Sequence, residues 1–141
     1  MNDTATTPLA AEAIRTLHSI EGALEAAIEP IGLSLAKFGA LSKLVAAGEP
    51  LPLHTLAERC LCVRSNITQL VDRLEADGLV SRTSDPNDRR SVRAQLTAEG
   101  RARHAAASRA LREAEDQLFS HLEPRQREDL LTLLRSFAGR P

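Results

Sequence analysis

Between residues 58 and 93 the chain carries two groups of side chains suited to reading a patterned, anionic surface. The first is Arg64, Ser65, Asn66, Thr68, Gln69 and Arg73. These fall together on the polar side of one helix if Ile67, Leu70, Val71 and Leu74 face inward. The second is the pair Arg89 and Arg90, just behind Asp85-Pro86-Asn87-Asp88, a composition typical of a tight reversal. Asn and Gln amides pair bidentately with adenine, and Arg with guanine, in the major groove. Ser and Thr hydroxyls suit phosphate oxygens. An arginine at a hairpin tip is drawn to the negative potential of a narrow minor groove. Double-stranded DNA is the partner this chemistry predicts.

Other chemistries find less support. Asp72, Asp85 and Asp88 lack the spacing of a calcium loop, and no histidine cluster joins them, so neither metal nor cofactor is expected. No nucleophile–base pair stands in a recognisable setting and no glycine-rich phosphate loop is present, so an enzyme is not expected. Cys60 and Cys62 fall where a helix end and the following turn need apolar residues, which favours packing over reactivity. Their one-residue separation disfavours a mutual disulfide; a redox-responsive regulator stays open as an alternative. Arg15 and His18 lie one turn apart on the first helix. They suit a carboxylate or phenolate ligand, or else an intersubunit salt bridge or a solvated face. His54, His104 and His121 are scattered and read as surface or capping residues.

The positioning elements are mostly helical. The chain has 141 residues, about one domain, with 43% hydrophobic and only 2% aromatic residues. Its core must therefore be built from Leu, Ile, Val and Ala. Net charge is −1, and residues 53–97 hold seven arginines against six acids, so any DNA-facing charge must come from distribution rather than from the sum. No apolar run approaches a membrane span, and residues 1–7 are polar and small without the features of a secretory leader. A cytoplasmic, reducing setting and no membrane partner are expected.

Ile14, Leu17, Leu24 and Ile28 recur at helical spacing, predicting a first helix over 9–29, ended by Pro30 and Gly32. Ser34 is set to cap a second helix reaching about residue 47, with Phe38, Leu41, Leu44 and Val45 inward. A short strand at 51–53 leads to a third helix over 54–60. The turn Leu61-Cys62-Val63 follows, then a fourth helix over 64–77 closed by Gly78. Two strands, 79–83 and 91–96, flank the polar turn. Thr97 caps a fifth helix over 98–120, and Pro124 opens a sixth over 125–137, ended by Gly139. The outer helices are too apolar to stand alone: Leu111, Leu118 and Leu122 mark the fifth, and Leu130, Leu131, Leu133, Leu134 and Phe137 crowd the sixth. A second copy of the chain is expected to cover them.

Five fragments in fixed order make the chain similar to a known family over residues 32–100. They are Leu56-Ala57-Glu58-Arg59, Ile67-Thr68-Gln69-Leu70-Val71-Asp72-Arg73-Leu74-Glu75, Asp77-Gly78-Leu79-Val80-Ser81-Arg82, Asp85-Pro86-Asn87-Asp88-Arg89-Arg90-Ser91 and Leu96-Thr97-Ala98-Glu99-Gly100. In this order and spacing they resemble the multiple-antibiotic-resistance regulator (MarR) family of winged helix-turn-helix transcription factors. The resemblance implies a mainly α fold: three helices and a short β-hairpin wing over 32–97, flanked by dimerisation helices over 9–31 and 98–139, with residues 1–8 a flexible N-terminus. It implies a homodimer on a pseudo-palindromic operator, usually a repressor released by a small molecule or oxidant. It places Arg64, Ser65, Asn66, Thr68 and Gln69 where the recognition helix meets bases and phosphates, and Arg73 near the DNA backbone. It sets Arg90 at the wing tip in the minor groove, beside Arg89, with Asp88 steadying the wing through charge pairing. It puts the ligand pocket between the dimer helices and the DNA-binding lobe, which is what draws attention to Arg15 and His18. One residue departs from the pattern: Val63 stands where the family commonly has a Ser or Thr cap, weakening that helix start by about 1 kcal/mol. A protein-interaction module without DNA binding is the alternative that this departure and the near-neutral lobe suggest.

Overall fold

A computed structural model describes residues 8–61 and 64–138, with the Arg64 and Ser65 side chains excepted. The expectations for Cys62, the Val63 cap, Gly139 and nearly all of the flexible N-terminus lie outside the described residues. The elements run α1 (Leu9–Ile28), a 3-10 turn (Glu29–Ile31), α2 (Leu35–Ala47), β1 (Leu51–Pro52), α3 (Leu53–Arg59), α4 (Arg64–Ala76), β2 (Val80–Asp85), β3 (Asp88–Leu96), α5 (Ala98–Leu118) and α6 (Pro124–Arg135). The sheet is antiparallel in the order β1-β3-β2.

Local chemistry sets most boundaries. The 3-10 turn ends on Gly32 and α2 on Gly48, at φ 81° and 69°, a left-handed conformation that costs glycine little. Ser34 Oγ accepts from the Lys37 amide at 3.1 Å, satisfying one of the free donors at the start of α2. Glu25 Oε1 accepts from the Leu35 amide at 3.0 Å, so α1 supplies a second cap to α2. Thr97 does two things at the base of α5. Its hydroxyl accepts from the Gly100 amide at 2.9 Å and donates to the Gly78 carbonyl at 2.8 Å, so the cap of α5 is bolted to the end of α4.

The core is aliphatic. Ile28, Leu41, Leu56, Ile67, Val71, Leu74 and Leu79 are fully buried: one residue each from the end of α1, α2 and α3, three from α4, and one from the link between α4 and β2. Ala107 joins the same cluster and brings in α5. By contrast α1 buries only Ile28, and Ile14 and Leu17 are exposed along it. Much of the apolar side of α6 is open, with Leu131, Leu133 and Leu134 exposed and Leu130 half-buried, and Phe137 just beyond it is 69% exposed.

Two expectations need correction. The hairpin is longer than its composition suggests: β2 runs through Asp85 and β3 starts at Asp88, leaving Pro86 and Asn87 as the loop. The Asp85 carboxylate accepts from the Asn87 amide at 2.9 Å, and Asp88 accepts from the Arg90 amide at 3.0 Å. Short acidic side chains thus satisfy the amides of the reversal, and the ladder persists to the tip, with one irregularity at Ser84 and Asp85. His104 is the second. It is not a surface residue but lies half-buried between α5 and α2, its ring stacked on Phe38 at 4.9 Å and bonded to Ser42 Oγ at 2.9 Å. A lone histidine on a long polar helix carries no sign of its neighbours, so spacing alone could not place it.

Gly100 has a packing reason. A Cβ there would fall 2.0 Å from the Leu79 carbonyl oxygen, which is backbone and cannot step aside. The helix-propensity gain of Gly→Ala, about 1 kcal/mol, is outweighed by that overlap. Gly100→Ala is expected to destabilise the fold by about 3 kcal/mol, read from urea unfolding. His104 generates a second expectation. Burial, and then the positive charge of Arg101, lower its pKa below 6.5. The folded state therefore favours neutral imidazole. Its contribution is complete above the ordinary histidine value and is lost as pH falls through the lower folded one. Unfolding followed at about pH 7.5 and about pH 5 should show a smaller acid-side loss for His104→Gln than for the parent chain.

Candidate nucleic-acid interface

The hydrophobic period of α4 decides which side chains it offers outward. Ile67, Val71 and Leu74 are fully buried and Leu70 is half-buried. Asn66, Thr68, Gln69 and Arg73 are consequently exposed. Four of the six predicted helix residues therefore share the open side of α4, while the Arg64 and Ser65 side chains lie outside the described residues. Arg89 and Arg90 are exposed near the tip of the hairpin, on a separate element. The Arg90 amide donates to the Asp88 carboxylate, so the aspartate braces the backbone of the hairpin near its tip.

Arg82 is the residue that sequence reasoning passed over. Its guanidinium bonds the carboxylates of Asp72 and Glu75, the latter at 2.8 Å, and its amide donates to Glu75 Oε2 at 3.0 Å. Those hydrogen bonds, Asp72's first, raise the Arg82 pKa above the ordinary arginine value against the opposing effect of burial. Lys37, from α2, holds Asp77 at 2.7 Å. The acids at the far end of α4 are therefore each tied to a cation behind the exposed face. Among the described residues, Arg73, Arg89 and Arg90 carry no ion pair. In a lobe whose charges nearly cancel in sum, the pairing leaves these exposed arginines on α4 and at the hairpin available to an anionic partner. The signal was present in the sequence: Val80 and Arg82 share a face of β2 by the two-residue period, and Asp72 and Glu75 are one helical turn apart.

Arg15 and His18 do not converge on this region. Both are exposed on α1, and Arg15 bonds Glu12 of the same helix at 3.0 Å. Cys60 is half-buried at the end of α3 and packs against the core cluster. Among the described residues no group of three or more His, Cys, Asp or Glu side chains is placed to hold a metal. Among them, too, no single helix is long and apolar enough to cross a membrane.

A short helix packed across a second, exposed one, followed by a cationic hairpin, defines a winged helix-turn-helix DNA-binding protein. The sequence comparisons give the family. The MarR family's sequence model matches residues 33–92. The chain is 35% identical to the HTH-type transcriptional regulator YkoM of Bacillus subtilis, over 84% of this chain and 73% of that protein. It is 32% identical to the homoprotocatechuate degradative operon repressor of Escherichia coli, over 67% of this chain and 64% of that protein. Among solved structures, the transcriptional repressor CouR bound to a 23-mer DNA duplex superposes with a TM-score of 0.85, at 30% identity and 92% coverage of each chain. The chain belongs to the MarR family of DNA-binding transcriptional regulators.

The Arg82 arrangement yields an expectation of its own. Removing the guanidinium frees two carboxylates beside the exposed face of α4 and loosens the wing from the helix. Arg82→Ala should weaken binding to double-stranded DNA about tenfold at low salt, where unscreened charge matters most. Far-ultraviolet circular dichroism should show unchanged helix content, and a gel shift at fixed ionic strength reads the affinity.

Proposed function

We propose that the chain acts as a homodimeric repressor of a pseudo-palindromic operator and is relieved by a small phenolic or carboxylate ligand. The observation that carries this reading is the sorting of charge on the lobe, which leaves Arg73, Arg89 and Arg90 free while the acids of α4 are held by Arg82 and Lys37. In this reading Arg64, Ser65, Asn66, Thr68 and Gln69 meet bases and phosphates in the major groove, with Arg73 on the backbone. Arg89 and Arg90 enter the flanking minor groove, and Asp88 fixes the backbone from which Arg90 projects. The protein works in the cytoplasm and catalyses no reaction.

Dimerisation is supported by the apolar surface that the single chain leaves open. Leu9, Ile14 and Leu17 on α1 and Leu131, Leu133, Leu134 and Phe137 at the other end of the chain are all exposed. Residues 9–31 and 98–139 then form the dimerisation helices, and residues 32–97 the DNA-binding lobe. Repression is supported by the relatives. One is named a repressor of a degradative operon for an aromatic acid, and the repressor CouR was crystallised on DNA.

The test is a gel shift against an operator selected by the purified protein from genomic fragments. Arg90→Ala should lower affinity by about 1–3 kcal/mol without changing oligomeric state in sedimentation. Recovered sites should contain two half-sites about one helical turn apart. Unchanged affinity at matched salt, or a monomer at micromolar concentration, overturns the reading.

A further inference from the structure

The hairpin has two faces, and the contacts with the lobe occupy one of them. Side chains alternate across an antiparallel pair. Val80, Arg82, Ala94 and Leu96 share the face that meets α4 and the core. Ser81, Thr83, Arg93 and Gln95 share the other. Arg93 stands on the middle strand, opposite Thr83 on β2 and Pro52 on β1.

Arg93 and Thr83 are both half-buried. Arg93 Nε and Thr83 Oγ1 are shut off from solvent, with no hydrogen-bond partner among the described residues. Such atoms ordinarily find one, because burial removes the water that would otherwise serve. The guanidinium makes a long bond of 3.4 Å from Nη2 to the Ser84 carbonyl, one residue nearer the hairpin tip. The acids that could neutralise it are turned elsewhere. Asp85 and Asp88 are the only acids between residues 80 and 96, and they accept the Asn87 and Arg90 amides. Among the described residues Arg93 makes no ion pair.

The count of donors sets the chemistry. A guanidinium can only donate, and the Thr83 hydroxyl can donate too. Two neighbouring donors call for an acceptor, and the positive charge favours an anionic one. Position selects which anion. Arg93 follows Arg90 by three residues on β3, so a strand rise of about 3.3 Å per residue sets it roughly 10 Å behind the tip arginine. A minor groove is about 7.5 Å deep. A hairpin tip at the groove floor therefore brings Arg93 to the level of the sugar–phosphate rim.

We propose that Arg93, with the Thr83 hydroxyl, grips a backbone phosphate at the edge of the minor groove that the hairpin tip enters. The inference rests on the operator-binding reading and adds to it a contact that positions the wing without specifying sequence. Arg82 and Arg93, on opposite faces of one ribbon, then have different tasks. The first fastens the ribbon to α4, and the second fastens it to the duplex.

Salt titration of the gel shift reads the number of phosphates engaged. A dimer of Arg93→Gln loses one contact per protomer, so the slope of log affinity against log salt should become shallower by about 1.8. Affinity for the operator and for an unrelated duplex should fall by the same factor, about tenfold at low salt. Thr83→Val removes a hydroxyl without changing charge and should weaken binding with the slope unaltered. Arg93→Lys is the companion should the glutamine fail to fold: it should keep the slope and lose affinity, since an ammonium keeps the charge but not the fork of donors. Operators carrying one methylphosphonate at a time locate the contact. One position beside each wing should weaken the parent chain and make no difference to Arg93→Gln. An arginine that only braces the hairpin would loosen Arg90 as well, and Arg90→Ala would then cost nothing further in the Arg93→Gln background. That result overturns the proposal; the expected one is that the two losses add. An unchanged slope in Arg93→Gln also overturns it. Thermal stabilisation by inorganic phosphate over chloride at equal ionic strength, lost in Arg93→Gln while the DNA slope stays the same, would assign the site to a free anion instead. A parent chain that binds no duplex at low salt defeats the operator reading and this inference together. A parent chain that binds normally, matched by its variant, defeats the inference alone.

Discussion

The three-way contact of Arg82 with Asp72 and Glu75 holds the candidate interface together. It joins the second helix of the motif to the first strand of the wing, the two elements that must meet one duplex at a set angle. It also lessens the negative charge beside the exposed face of α4. A solvated carboxylate there would repel phosphate, and the guanidinium holds both acids while offsetting one of their two charges. The pairs are partly exposed, so their contribution to folding is modest. Their weight lies in geometry and field, which explains how a chain of net charge −1 can serve as a DNA-binding protein.

Behind the clamp, the lobe is fastened at one crowded point. Leu79 is fully buried, its carbonyl sits against Gly100 and accepts from the Thr97 amide at 3.1 Å, and Thr97 reaches Gly78. The end of α4, the start of β2 and the start of α5 therefore move as one piece. This gives a physical reason for two of the glycines in the family-like fragments. Gly78 supplies a positive φ of 76°, and Gly100 supplies the missing volume that lets α5 approach the chain.

Much of this was legible in the sequence, and the reason is local. Ser34, Gly48, Gly78 and Thr97 act through backbone geometry within a few residues, so caps and helix limits could be read from residue type. The inward faces of α2 and α4 followed from periodicity because every apolar residue expected there is buried or half-buried. What escaped depends on long-range placement. Ser42 and His104 are far apart in sequence, as are Lys37 and Asp77, and no local rule joins them. The hairpin length escaped because Asp and Asn read as loop residues, whereas here Asp85 and Asp88 extend the ladder by accepting its last amides.

α5 is an uninterrupted rod of 21 residues whose foot is clamped at the sheet. At 1.5 Å per residue it extends roughly 30 Å. A tilt of only about 5° at the foot carries the far end through roughly 3 Å, a displacement comparable to half a helical turn. A rod of this length thus has leverage: an adjustment too slight to disturb packing near the wing becomes a much larger displacement at its far end.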